Sequence, residues 1–424
     1  MNTLDELKLA AQDIIRQLVE GNFGAVVSRF DSAMLQALPE AKLKETWIQL
    51  IGQTGQFTQE LDCKAVEGGE HRIVTVTCQF ENGVYDIKLV FNPSGQVGGL
   101  NYQIASGYTT YHAPAYADES SFHEAEVTVG SGEWALPATL SLPDGAGPFR
   151  AVVLVHGSGP NDRDESIGPN KVFRDIAWGL ASQGIAVLRY EKRTKAHASQ
   201  FTPELISRLT VQQETIDDAL AAVQLLRQTP AIDPSGIYVL GHSLGATVAP
   251  RIGQQDPAIA GLIIMAGIAR TLEDTILDQF TYLYGLSGGM SEDQKLDLEQ
   301  LKVKVARVKD PNLSDQTPAK ELPLNVSAAY WLDLRGYRPH EVAKTLAMRL
   351  LVLQGGRDYQ VTAADDFPLW QKALAEKRNV TLKLYPKLYH LFIAGEGPST
   401  PQEYMVEGHV SAEVIQDIAD WIVL

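Results

Sequence analysis

A chain of 424 residues is too long for one compact core and is expected to divide into two or three domains. Its 45% hydrophobic and 21% charged residues are ordinary for a globular protein, and its formal charge of −16 argues against nucleic acid or an anionic membrane as partner and disfavours a strongly anionic substrate. No apolar run is long enough to cross a bilayer, and the start Met1-Asn2-Thr3-Leu4-Asp5-Glu6 lacks a basic region and an apolar core. The expected location is therefore the cytoplasm, or outside it for a chain whose signal peptide is absent from this sequence.

Residues 1–115 read as a separate small α+β domain. Leu4, Leu7, Leu9, Ile14, Ile15 and Leu18 fit an amphipathic helix ended by Gly21, and a second helix runs from about Glu40 to Ile51. Strand-like runs follow at Phe57 to Val66, Arg72 to Phe80, Val84 to Phe91 and Val97 to Ile104. Glu67-Gly68-Gly69-Glu70, Asn82-Gly83 and Asn92-Pro93-Ser94-Gly95 supply the turns. Helices followed by an antiparallel meander make an α+β unit with no catalytic constellation. It reads as a packing or dimerisation module, which would accommodate a homo-oligomer. The two cysteines, Cys63 and Cys78, fall on neighbouring strands and read as small buried hydrophobes, with a cross-strand disulfide as the alternative. With no H-E-x-x-H and no paired C-x-x-C, neither a metal nor a cofactor is expected.

Residues 116–424 alternate strands with helices, the pattern of a mostly parallel sheet with helices on both faces. Strands near Ala125–Val129 and Leu136–Leu142 lead to the apolar run Ala151–Val155. That run opens into His156-Gly157-Ser158-Gly159-Pro160, whose small residues let a backbone N–H point at a developing oxyanion. A strand at Leu188 and a crossover helix from Glu214 to Leu226 come next. Ile237-Tyr238-Val239-Leu240 then runs into Gly241-His242-Ser243-Leu244-Gly245, followed by the small-residue helix start Ala246-Thr247-Val248-Ala249. Strand, sharp turn and helix around G-x-S-x-G make a nucleophile elbow with Ser243 at its tip.

Between the strand Gly261–Met265 and the strand at Arg349 lie about eighty residues, far more than a single crossover requires. Helices over Thr271 to Leu286 and Glu292 to Val308, with Phe280, Tyr282, Tyr284, Tyr330, Trp331 and Tyr337, read as a helical cap inserted at about 268–347. The run Tyr330–Tyr337 is the candidate for its pocket-facing edge, and about half of these aromatics are expected to pack the cap's own core. The strand Arg349–Leu353 ends in Gln354-Gly355-Gly356-Arg357-Asp358, which presents Asp358 at a sheet end, where a catalytic acid is needed. Asp365 and Asp366 fall within the helix that follows. A last strand, Val380–Tyr385, leads to His390. Of the nine histidines only His390 and His409 follow Asp358, and His409 opens the terminal helix and reads as exposed. His156 and His242 read as parts of the oxyanion loop and the elbow.

Four elements thus occur in the order oxyanion loop, serine, acid, histidine. Residues from about 120 to 424 resemble the α/β-hydrolase family. His156–Glu165 and Gly184–Arg193 narrow the resemblance to the bacterial dienelactone-hydrolase and serine-aminopeptidase-like branch. The first domain is similar to the nuclear-transport-factor-like domain found ahead of some bacterial hydrolases. The resemblance implies a serine carboxylesterase acting on short-chain, small-molecule esters without a cofactor. Ser243 would be the nucleophile, His390 the base and Asp358 its orienting acid, and Leu244 and Ser158 would donate to the oxyanion, with Gly157 and Gly159 as alternatives to Ser158. A serine aminopeptidase is the competing reading. It requires a carboxylate cluster for the substrate's ammonium group, for which Asp162, Asp164 and Glu165 are candidates. A non-catalytic hydrolase fold would show a missing triad residue, and none is missing.

Overall fold

The computed structural model describes residues 3–68, 71–81, 83–105, 111–286 and 288–424. The turn residues Gly69, Glu70 and Asn82 lie outside the described residues. Two compact units emerge, Met1–His112 and Ala113–Leu424.

In the first unit Thr3 starts a helix over Leu4–Val19 through a reciprocal capping box with Glu6, and Leu7, Ala11, Ile14, Ile15 and Leu18 form its buried stripe. Helices over Phe23–Val27, Ser32–Ala37 and Glu40–Thr54 follow. The two short ones had no signal in the sequence because each spans barely one turn, too short to show a period. The meander consists of β1 (Phe57–Gly68), β2 (His71–Phe80), β3 (Gly83–Phe91) and β4 (Val97–Ile104), antiparallel and in sequential order. Its inward-facing Val74, Val76, Cys78 and Phe80 close a core with Trp47 and the first helix. Both cysteines are free thiols: Cys63 lies opposite Val76 on the neighbouring strand, and Cys78 opposite Glu60. Burial pushes their thiols up, Cys63 to about 11 and Cys78 to about 12, so neither is a thiolate nucleophile.

The second unit is built on eight strands: β5 (Phe122–Val129), β6 (Leu136–Pro143), β7 (Phe149–Val155), β10 (Ala186–Tyr190), β11 (Ile232–His242), β12 (Gly261–Met265), β13 (Arg349–Gly355) and β14 (Val380–Tyr385). A two-residue hairpin, β8 (Ser166–Ile167) and β9 (Asn170–Lys171), sits in the loop after β7. Across the sheet the order is β14-β13-β12-β11-β7-β10-β6-β5, parallel from β14 to β10 and antiparallel at the β6 and β5 edge. Alternation sorts the apolar strands into two cores. Val153, Val239, Leu262 and Leu350 face the helices Asp217–Arg227 and Leu244–Gln255, while Val152, Leu240, Ile263 and Leu351 face Val172–Ala181 and Ala412–Val423.

Chain order reverses between β7 and β11, which are neighbours in register, with Val155 beside Gly241. The loops leaving their carboxyl ends are therefore adjacent, at the switch point where open α/β sheets bind ligands. Helices Leu272–Gly285, Glu292–Lys309, Ala328–Leu334 and Pro339–Thr345 lie between β12 and β13, and Ile276, Val308, Leu322 and Trp331 share a small core of their own. Among the described residues no helix is long and apolar enough to cross a membrane. Because the first unit encloses its own core, a fragment of residues 1–112 is expected to fold alone. Urea unfolding followed by far-ultraviolet circular dichroism should show one cooperative transition; a featureless baseline would refute this.

Candidate active site

Ser243 is the single residue between β11 and the helix Leu244–Gln255, with φ 53° and ψ −113°. A left-handed conformation costs a residue with a side chain about 1–3 kcal/mol. Backbone bonds hold it there: its N–H donates to the Met265 carbonyl at 3.0 Å, and its own carbonyl accepts from Thr247 N–H at 2.9 Å and from the Thr247 hydroxyl at 3.0 Å. The flanking glycines are required by contact. A Cβ on Gly241 would lie 2.3 Å from the Gly245 backbone, and one on Gly245 would lie 2.1 Å from the Val155 carbonyl oxygen. Strand, helix and the end of β7 touch backbone to backbone.

That contact brings the His156–Pro160 loop beside the serine, and a Cβ on Gly157 would come within 3.2 Å of the Ser243 Cβ. Of the three candidate oxyanion donors in the loop, Gly157 already donates its N–H to Glu165 Oε1 at 2.6 Å. Its carbonyl accepts from the buried Lys192 Nζ at 2.8 Å, and the Asn161 amide reaches the carbonyls of Gly157 and Ser158 at 3.2 Å. Gly157, Ser158 and Gly159 all line the cavity, and Leu244 opens the helix as its first residue.

The acid and the histidine come from the other side. Glycines are again needed: a Cβ on Gly355 would lie 2.6 Å from the Leu388 carbonyl oxygen, and one on Gly356 would lie 2.7 Å from the Pro386 Cα. Asp358 is buried, and its Oδ1 accepts from the N–H groups of Gln360 and Val361 at 2.8 and 3.0 Å. Its Oδ2 accepts from His390 Nδ1 at 2.7 Å. An ionised carboxylate only accepts, so His390 carries a proton on Nδ1, and in the neutral ring the lone pair is then on Nε2. Ser243 and His390 line one cavity of about 500 Å³. Among the described residues no hydrogen bond joins the serine hydroxyl to the histidine; such bonds often tighten only when substrate is seated.

The cavity walls are largely apolar. Ile206 and Leu209 come from the segment after β10, and Leu272, Ile276 and Val326 from the insert. Of the run Tyr330–Tyr337, Tyr330 and Trp331 line the cavity. Tyr337 turns away, donating its hydroxyl to the Thr247 carbonyl at 2.9 Å beneath the Arg251 guanidinium. Tyr330 donates to Glu214 at 2.8 Å. Glu214 sits in a π-turn, Gln212–Ile216, that opens the crossover helix, and it pairs with Lys192 at 3.2 Å.

Three expectations are corrected. Asp162, Asp164 and Glu165 do not form an open carboxylate cluster. Asp162 accepts from the backbone N–H groups of Asp164 and Ser166, Asp164 pairs with Arg189, Lys171 and Arg174, and Glu165 bonds Gly157 and His242. His409 is half-buried rather than exposed, 3.2 Å from Asp175 and away from the cavity. Asp366 precedes its helix rather than lying within it. It is fully buried, accepting from the N–H groups of Ala269 and Arg270 at 2.9 and 3.2 Å and pairing with the Arg270 side chain at 3.1 Å.

One residue pair escaped the sequence reading. His242, in the elbow itself, is buried with Nδ1 2.8 Å from Glu165 Oε2 and Nε2 3.0 Å from the His390 carbonyl oxygen. Burial opposes charge on both groups, yet their mutual attraction prevails, raising His242 above its ordinary value and lowering Glu165. Burial instead drives His156 down to about 4, so that ring is neutral. Among the described residues no group of three or more His, Cys, Asp and Glu could hold a metal.

The fold and the disposition of these loops define an α/β-hydrolase. Residues 147–396 match the family described as serine aminopeptidase, S33, and the chain belongs to that family. Residues 11–100 match a second family, described as a protein of unknown function (DUF3887). Esterase EstD of Thermotoga maritima is 40% identical over 410 residues, covering 96% of this chain and 93% of that protein. Among solved structures, Est1E from Butyrivibrio proteoclasticus aligns over 70% of this chain and 99% of its own with 14% identity and a TM-score of 0.44. The 2,6-dihydroxy-pseudo-oxynicotine hydrolase aligns over 70% of this chain and 66% of its own with 17% identity and a TM-score of 0.44.

Three substitutions test the local physics. Gly245→Ala drives a methyl into the Val155 carbonyl and should cost more than about 3 kcal/mol, seen as lost soluble expression or a collapsed denaturation midpoint. Asp366→Asn should cost about 2 kcal/mol, because it removes the charge facing Arg270, while the exposed Asp365→Asn should stay within about 0.5 kcal/mol. Equal denaturation midpoints for the two Asn variants would contradict the burial argument.

Proposed function

We propose that this chain is a serine carboxylesterase that hydrolyses short-chain esters of small molecules through an acyl-enzyme. The observation that carries the reading is the buried Asp358–His390 hydrogen bond at one wall of the cavity that also holds the elbow serine. The name of the relative from Thermotoga maritima supports it.

Ser243 Oγ attacks the ester carbonyl carbon as His390 Nε2 takes the hydroxyl proton. Asp358 stabilises the resulting imidazolium and keeps the ring in the tautomer set by its hydrogen bond. The negative charge that develops on the carbonyl oxygen is met by the N–H groups of Leu244 and Ser158. The bond between Gly157 and Glu165 leaves Ser158 and Gly159 as the loop's remaining donors, and Ser158 adjoins the anchored residue. His390 passes its proton to the departing alcohol. Water then attacks the acyl-enzyme by the same route, releasing the acid and restoring the serine. The peptidase reading loses its candidate ammonium site, because Asp162, Asp164 and Glu165 are bonded within the protein.

Ser243→Ala and His390→Ala should each lower kcat for p-nitrophenyl butyrate by roughly 10⁵-fold with the circular dichroism spectrum unchanged, since a triad acts as a unit. A serine-directed phosphonate should label Ser243 alone. Either variant retaining substantial activity refutes the assignment. Across p-nitrophenyl esters of increasing length, kcat/KM should rise while the walls bury each added methylene, worth about 0.8 kcal/mol, and fall once a chain outgrows the cavity. Aminoacyl-anilides cleaved faster than short esters would establish the peptidase instead.

A further inference from the structure

His242 has an acceptor on each ring nitrogen: the Glu165 carboxylate at 2.8 Å and the His390 carbonyl oxygen at 3.0 Å. A neutral imidazole donates from one nitrogen only, so both bonds together call for imidazolium beside carboxylate. The other carboxylate oxygen accepts the Gly157 N–H at 2.6 Å. Both side chains are buried, and Glu165 holds a left-handed backbone at φ 47°, a strained conformation of the kind found where structure over-determines a position. A single chain of bonds thus runs from the oxyanion loop through the elbow to the backbone of the catalytic histidine.

We propose that Glu165 and His242 are positioning residues, a buried clamp that fixes the oxyanion loop and the His390 loop to the elbow in one geometry. The idea rests on the esterase reading. Anchoring Gly157 engages its amide with Glu165 and sets the orientation of the next one, Ser158. Anchoring the His390 carbonyl sets where that ring stands relative to Ser243. The other ionisable groups around the pair are His390, whose ring centroid is 4.9 Å from that of His242, Asp358 behind it, the neutral His156, and Lys192 on the Gly157 carbonyl. Attraction to Glu165 and Asp358 holds the second proton on His242 above the ordinary histidine range, and the clamp loosens as alkaline pH removes it.

The test uses Glu165→Gln and Glu165→Ala in the full chain. The Gln amide can accept from Gly157 and donate to Nδ1 of a neutral His242, whose Nε2–H still reaches the His390 carbonyl, so every bond survives without the charge. Glu165→Gln should keep kcat for p-nitrophenyl butyrate within about threefold. Glu165→Ala should lower kcat about a hundredfold with KM within about threefold, because the apolar walls formed by Ile206, Leu209, Leu272, Ile276 and Val326 are untouched. The wild type should lose kcat on the alkaline side as His242 deprotonates, and Glu165→Gln should lack that limb. A Gln variant as damaged as Ala, a fully active Ala variant, or the same alkaline limb in wild type and Gln overturns the clamp. If the Ala variant does not fold, the comparison of pH profiles decides alone. Phosphonate labelling of the wild type separates the two ideas: no label on Ser243 defeats the esterase reading, whereas a labelled wild type with unaltered variants defeats the clamp only.

Discussion

The site depends on one close approach, the backbone of Gly245 lying against the carbonyl of Val155. A β-carbon there would stand 2.1 Å from that oxygen, so only glycine lets the helix after the elbow reach the end of β7. Because β7 and β11 are neighbours in the sheet, this contact places the His156–Pro160 loop beside Ser243. The strained serine is the consequence: the chain turns from strand to helix over one residue, and that residue takes a positive φ with its backbone groups bonded on both sides.

The same device recurs on the other wall. Gly355 and Gly356 let the end of β13 press on Leu388 and Pro386, which brings Asp358 within 2.7 Å of His390. Two pairs of adjacent strand ends, each joined through glycine, thus deliver the serine with its loop and the acid with its histidine. The apolar cavity between them is closed by the insert and by the segment carrying Ile206 and Leu209.

The surroundings are electrically crowded, although the chain as a whole carries a formal charge of −16. Buried Asp164 meets Arg189, Asp366 meets Arg270, Glu214 meets Lys192 and Glu165 meets His242. An isolated buried ion would carry several kcal/mol of desolvation penalty, roughly, so each is held by an opposite charge and by directed hydrogen bonds. Such pairs add little net stability. They fix geometry, because losing either partner strands the other. Asp164 and Glu165 of the acidic stretch are engaged in this way, and Asp162 is bonded to the backbone N–H groups of Asp164 and Ser166.

The placement of Ser243, Asp358 and His390 just beyond strand ends was legible in the sequence because each follows a local pattern, an apolar strand that runs into a turn. Strand periodicity likewise marked the eight-stranded sheet and the separate first unit, and the excess length between β12 and β13 marked the insert. The partners of side chains were not legible. Glu165 is 77 residues from His242, and Tyr330 is 116 from Glu214, so no spacing rule relates either pair. Tyr330 and Trp331 face the cavity and Tyr337 does not, a difference set by how the insert packs and not by composition. Local pattern determines which residues stand at strand ends, since backbone sterics and hydrophobic alternation act over a few residues. Which buried charges meet, and which donors remain for chemistry, is decided by the order of strands across the sheet, because only folding brings their ends within bonding distance.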